Sequence, residues 1–270
     1  DAGSSGLIAT TLNAMGMVAG LFAGLLSDRF GPKRFALAGL ALLAAGGALG
    51  AASGAYVPLL VSRFLEGIGF VMTTISGIAL ITHVTRAADR SQAMSLWSAY
   101  MPTGGAMAML AAPVALAAIG WRGYWLVVAA VAATAFALML RSVPAPMFGG
   151  SVRIGRLALE SLGRPASLLL CLAFFGYASQ WASIMVWLPT FAIDERGAST
   201  TAAALLATGM VAINIPGNLA GGWVMRRGAS RAALIVFAAG AQALGCLGVF
   251  LDGLPDWGRY AACLGFSLFG

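Results

Sequence analysis

The chain has 270 residues, of which 60% are apolar and only 9% charged, against roughly 45–50% and 25% in soluble domains. No soluble fold of this length hides so much apolar surface, so lipid must be the solvent for most of it. A formal charge of +7 invites a nucleic-acid partner, but the bases fall at the ends of apolar runs, as membrane topology requires, and form no stripe for nucleic acid.

Eight runs are long enough to cross a bilayer, near 7–27, 35–53, 57–82, 92–118, 123–141, 166–192, 201–225 and 231–251. A crossing helix needs about 20 residues at about 1.5 Å each. A ninth run, 258–270, is shorter. All should be helical, because an open strand leaves backbone groups unpaired in hydrocarbon. The fold class expected is therefore an all-α polytopic membrane protein. The chain starts at Asp1 without a Met and stops at Gly270 inside an apolar run, which reads as a fragment. No signal peptide is expected, since the first run is too long and too rich in glycine.

Alternating sides sort the loops. One side takes Arg29, Lys33, Arg34, Arg86, Arg90, Arg141, Arg153, Arg156, Arg164, Arg226, Arg227 and Arg231; the other takes Arg122, Arg196 and Arg259. Twelve bases against three put the first side in the cytoplasm. The polar stretch 142–165, with three prolines and several glycines, reads as a cytoplasmic connector. It divides a bundle of five spans, 1–141, from a second at 166–270. Residues 152–162 suit either a plain linker or a short amphipathic helix on the membrane surface.

The first two spans meet at Gly24-Leu25-Leu26-Ser27-Asp28-Arg29-Phe30-Gly31-Pro32-Lys33-Arg34. Shifted by 197 residues, this loop falls on Gly221 to Arg231: Gly24, Arg29, Gly31 and Arg34 recur as Gly221, Arg226, Gly228 and Arg231, while Met225 replaces Asp28. Gly20 and Gly24 also recur as Gly217 and Gly221, a GxxxG in each copy. Such glycines allow a neighbouring backbone to pack closely. Pro58 and Pro255 share the shift, and Arg63 and Arg259 come within one residue of it.

The loop resembles the signature loop of the major facilitator superfamily, Gly-x-Leu-x-Asp-Arg-x-Gly-x-Lys/Arg-Arg. It matches at Gly24, Leu26, Asp28, Arg29, Gly31, Lys33 and Arg34, with Pro32 where a base is usual. Arg63-Phe64-Leu65-Glu66-Gly67-Ile68-Gly69 is similar to the family's fourth-helix motif, and Gly120-Trp121-Arg122 to its outer turn before the sixth helix. Pro102-Thr103-Gly104-Gly105 resembles the fifth-helix antiporter motif, with its spacing one residue short. The resemblance runs from the family's second helix into its tenth. It implies two related bundles that rock about a midplane site, carrying solute by alternating access. It also implies that Asp28 and the loop bases form a latch whose partner is the family's eleventh helix, absent from this chain. A solvated turn acid is the alternative.

Ionisable residues inside spans are costly, about 2.5–3.5 kcal/mol each on insertion scales. Only Arg63 and Glu66 qualify, roughly 9 and 13 Å inside their helix at 1.5 Å per residue. Three residues apart, they share a face and can pair. They are either a static lock to a neighbouring helix or a cavity charge that binds solute or couples to protons. Tyr177, Gln180 and Trp181 share one face, Asn214 and Asn218 another, and Trp97 and Tyr100 a third. Rings with amides suit an organic solute; helix–helix hydrogen bonding is the alternative for the asparagines.

Nothing points to an enzyme. His83 stands alone at the end of a span, and Cys171, Cys246 and Cys263 lie singly in apolar runs, so neither metal, cofactor nor disulfide is expected. The reading is a monomeric, proton-coupled transporter of a small organic solute in the inner membrane. A uniporter and a non-transporting sensor or scaffold are the alternatives.

Overall fold

The computed structural model describes residues 22–143 and 163–270. Most of the expected first span and nearly all of the connector, including the possible helix at 152–162, lie outside the described residues. Every described element is helical: α1 over 22–30, α2 Pro32–Ala52, α3 Tyr56–Val84, α4 Arg90–Ser98, α5 Tyr100–Ser142, α6 Pro165–Asp194, α7 Thr200–Arg226, α8 Arg231–Phe250 and α9 Asp256–Leu268. Six of the described helices are long and apolar enough to cross a membrane, when α4 and α5 are taken as one 53-residue segment. Within that segment two helices meet at a kink, where Gly120 (φ 66°, ψ 175°) leaves the helical conformation at the expected outer turn. A left-handed φ there is open to glycine at no steric cost.

The run 92–118 carries one irregular residue, Ala99 between α4 and α5, where the regular hydrogen bonding lapses while the backbone stays helical (φ −74°, ψ −9°). Pro102 supplies the reason: it has no N–H for the carbonyl of Ser98, and its ring crowds that carbonyl.

The helices group into two compact units, one from residues 1–84 and 112–163, the other from 85–111 and 164–270. This grouping differs from the expected 1–141 division at residues 85–111. They go with the second unit because α4 packs on α7, where Ser95 lies so close to Gly222 that no side chain would fit between them.

In the first unit α2 and α3 form the tightest helix pair. Glycines make it so: a Cβ on Gly39 would stand 2.8 Å from the carbonyl of Gly69, and one on Gly69 only 2.6 Å from that of Gly39. Backbones that close gain van der Waals contact unavailable from lipid. Ala23, Phe35 and Val71 make a small core beside them. In the second unit Ile184, Leu188, Met210, Val249, Cys263 and Phe266 join α6, α7, α8 and α9 around one core.

The two related loops share their turn. Gly31 (φ 87°) and Gly228 (φ 91°) are both left-handed, 197 residues apart. Pro32 then sits at the first turn of α2, where a missing N–H costs nothing.

Candidate functional site

Arg63 and Glu66 face each other on α3. Nη2 of Arg63 lies 2.5 Å from Oε2 of Glu66, and the two side chains are only 12% and 10% exposed. The pair fits a trough of glycines on α2. A Cβ on Gly46 would come 2.8 Å from Cγ of Glu66, one on Gly47 3.3 Å from its Oε1, and one on Gly50 3.4 Å from Nη2 of Arg63. Over the guanidinium stands Trp125, its ring centroid 4.1 Å from Cζ, close enough for cation–π attraction. Trp125 in turn meets Trp121 edge-on at 5.3 Å. Nε and Nη2 of Arg63 find no acceptor at hydrogen-bonding angles, so the pair is held by charge and by the ring.

Trp125 was not singled out from the sequence. Its signal was there in the Trp121–Trp125 spacing just past the outer turn, four residues being one helical face. The glycine trough was legible only as composition, since nothing in sequence says which helix 46, 47 and 50 face.

The other candidates lie in the second unit. Gln180 lines a cavity of about 450 Å³ between α6 and α8, with Ser183, Trp187, Phe191 and Phe250 among its walls. Trp181 packs instead against the core of Ile184 and Met210. Nε2 of Gln180 and Nε1 of Trp181 are both buried without an acceptor among the described residues. Tyr177 is half-buried, its ring 5.8 Å from that of Phe174. Trp97 and Tyr100 stack at 4.8 Å across Ala99.

Asn214 is buried, and its amide donates to the carbonyl of Ser267 on α9 at 2.7 Å. Asn218 donates to Asn214 Oδ1 at 2.7 Å. This is the helix–helix bonding weighed above.

The loop residues divide. Asp28 and Arg29 are exposed at the end of α1, and among the described residues Asp28 has no ion-pair partner. Arg29 lies 5.6 Å from the ring of Phe30. Lys33 donates to the carbonyls of Leu140 and Val143, where a cation complements the free carbonyls of a helix end. Arg34 begins α2, and Arg226 and Arg231 end α7 and begin α8. Of the glycines, Gly217 packs against the backbone of Leu268, whereas Gly24 and Gly221 face open space. His83 and the free cysteines join no metal-binding group among the described residues.

Comparison with known proteins gives these positions a context. The sequence profile of the Major Facilitator Superfamily matches residues 1–270. The chain is 31% identical over 144 residues to the inner membrane transport protein YajR of Escherichia coli, covering 52% of this chain and 31% of that protein. It is 29% identical to a putative metabolite transport protein of Haemophilus influenzae, covering 78% and 54%. A probable 4-methylmuconolactone transporter of Cupriavidus pinatubonensis is 30% identical over 46% of the chain and 30% of that protein. The chain thus spans about a third to half the length of these curated relatives. Among solved structures, FucP, a Major Facilitator Superfamily transporter crystallised in the outward conformation, superposes with a TM-score of 0.76 at 21% identity. That match covers 98% of this chain and 72% of FucP.

Proposed function

The chain belongs to the Major Facilitator Superfamily, and we propose that it carries a small organic solute across the bacterial inner membrane by alternating access, coupled to protons. The observation that carries the coupling is the ion pair of Arg63 and Glu66 inside a membrane span. A carboxylate there can take up a proton in one state of the carrier and release it in the other. A group whose proton affinity differs between two states links proton movement to the switch. Nε of Arg63 is buried without an acceptor among the described residues, a donor that suits an anionic or strongly polar solute group. In the second unit, taken by itself, Gln180 and Trp181 carry donors without acceptors among the described residues, three and four residues along the helix from half-buried Tyr177, and Trp97 and Tyr100 carry aromatic surface; these are our proposed solute contacts there. Rings supply contact and donors fix orientation, as small-molecule sites require.

Asp28, with Arg29, Lys33 and Arg34, is our proposed latch, and Gly221, Arg226, Gly228 and Arg231 are its counterpart in the second half. The shared left-handed turns at Gly31 and Gly228 support this kinship. The halves 1–141 and 166–270, joined through 142–165, are proposed as the two copies of an ancestral bundle. The working unit is proposed to be a monomer without a cofactor.

The test is a full-length protein in vesicles loaded with a pH-sensitive dye and offered small lactones, carboxylates and sugars, 4-methylmuconolactone included. Proton influx that starts only on solute addition is expected. Solute entry without proton movement would leave a uniporter, and no entry of any solute would leave a sensor or scaffold.

A further inference from the structure

A groove between α4 and α7 carries chemistry that the solute site does not use. Where Ser95 meets Gly222 the helices touch. Beside that contact opens a cavity of about 380 Å³, lined by Gln92, Ser95 and Leu96 of α4 and by Leu219, Trp223 and Arg226 of α7. The spacings are i, i+3, i+4 and i, i+4, i+7, so each set lies on one face of its helix.

The lining is two-sided in character. Leu96, Leu219 and Trp223 are exposed, at 60%, 41% and 46%, which leaves an apolar strip uncovered. Gln92 is near the start of α4 and Arg226 at the end of α7, so the polar groups gather at one end of the groove. Arg226 has no carboxylate partner among the described residues. Arg227 stacks on Trp223 at 3.6 Å from its ring centroid, as suits an aromatic ring at the headgroup level. Ser95 is buried, and its hydroxyl has no partner among the described residues. The basic loop places this end of the groove at the cytoplasmic leaflet, which carries the anionic lipid headgroups that basic pockets between spans bind.

We propose that the groove holds an anionic phospholipid, its phosphate at Arg226 and Gln92 and an acyl chain along Leu96, Leu219 and Trp223. A free phosphate would have no use for the apolar strip. A purely apolar molecule would leave Arg226 unanswered.

The experiment is native mass spectrometry of the purified protein in detergent, titrated with dioleoylphosphatidylglycerol, dioleoylphosphatidylcholine or glycerol 3-phosphate. The wild type should retain the phosphatidylglycerol at roughly fivefold lower concentration than the phosphatidylcholine, the factor expected for one base near a charged headgroup. Arg226→Gln should erase that preference, Leu96→Ser should weaken both lipids, and Arg164→Gln, outside the groove, should change nothing. Equal retention of the two lipids, a preference that survives Arg226→Gln, or glycerol 3-phosphate bound as tightly as the lipid would each overturn the proposal. The readout is mass, so the outcome is independent of any transport assay.

Discussion

The pairs α2–α3 and α8–α9 are related by the 197-residue shift, and both close through glycines, yet they fill the space differently. Between α2 and α3, Gly46 and Gly47 make room for the Glu66 carboxylate. Between α8 and α9, Gly245 and Gly248 make room for Ala262 and Phe266. The arginines differ as well. Arg259 is 3% exposed and donates to the carbonyls of Val249 and Leu254 at 3.1 Å each, sealing the end of α8. Its contact with the fully exposed Asp252, at 3.7 Å, adds little. Among the described residues Arg63 has no such carbonyls, and it faces Glu66 and Trp125. Filling a space with apolar groups usually stabilises as well as a buried ion pair or better. The second half shows that this architecture closes without a carboxylate, so packing alone does not call for Glu66.

The largest effect should separate the two arginines. Arg63→Ala strands Glu66 in a low-dielectric site and should lower stability by about 3–5 kcal/mol. Arg259→Ala gives up two hydrogen bonds, to the carbonyls of Val249 and Leu254, at about 1.5–3 kcal/mol each, but strands no buried carboxylate, so Glu66→Ala should relieve the loss only in the Arg63 variant. Thermal unfolding in detergent reads both. The sharper variant imitates the second half: Arg63→Met with Glu66→Ala should unfold close to wild type yet show no pH-driven transport. A double variant that transported normally would return the pair to a structural role.

Glycine substitutions come next. Gly39→Ala and Gly69→Ala push a methyl into a neighbouring backbone and should each cost about 1–3 kcal/mol, as overpacking does. Gly217→Ala, against Leu268, should behave alike in the other half. Gly24→Ala and Gly221→Ala meet nothing within 4 Å and should stay within about 0.5 kcal/mol. Melting temperatures ranked the other way would undo the account of both helix pairs.

The loops supply the subtlest contrast, because Asp28 has Met225 as its counterpart. In the full-length protein, Asp28→Asn should leave yield and melting temperature unchanged while slowing transport several-fold, within the coupling range of about 1–3 kcal/mol for a switch. Unaltered rates would make Asp28 an ordinary exposed turn acid.

Much of this was legible in the residues. Span positions follow from hydropathy and the kinship of Gly31 with Gly228 from spacing, while the outer turn at Gly120 was implied by the family resemblance; the left-handed conformation of those glycines came from the structure. Partners across helices were not legible. Lys33 could be placed in the basic loop, but the carbonyls it donates to, those of Leu140 and Val143, could not be foreseen. Asn214 had two open readings until Ser267 appeared opposite its amide. Trp125 gained meaning only from the guanidinium beneath it. Each of these pairings spans more than 50 residues of chain, and period and composition carry no information at that range.

Glu66 is the point on which the account turns, and Glu66→Gln in vesicles tests it most directly. The variant keeps the shape of the side chain and mimics its protonated form permanently. With a pH gradient imposed and a solute the wild type transports, it should fail to accumulate that solute against its gradient. It should still exchange solute between two loaded compartments. Uphill accumulation at the wild-type level would show that the proton travels elsewhere, and Glu66 would then be no more than Arg63's structural partner.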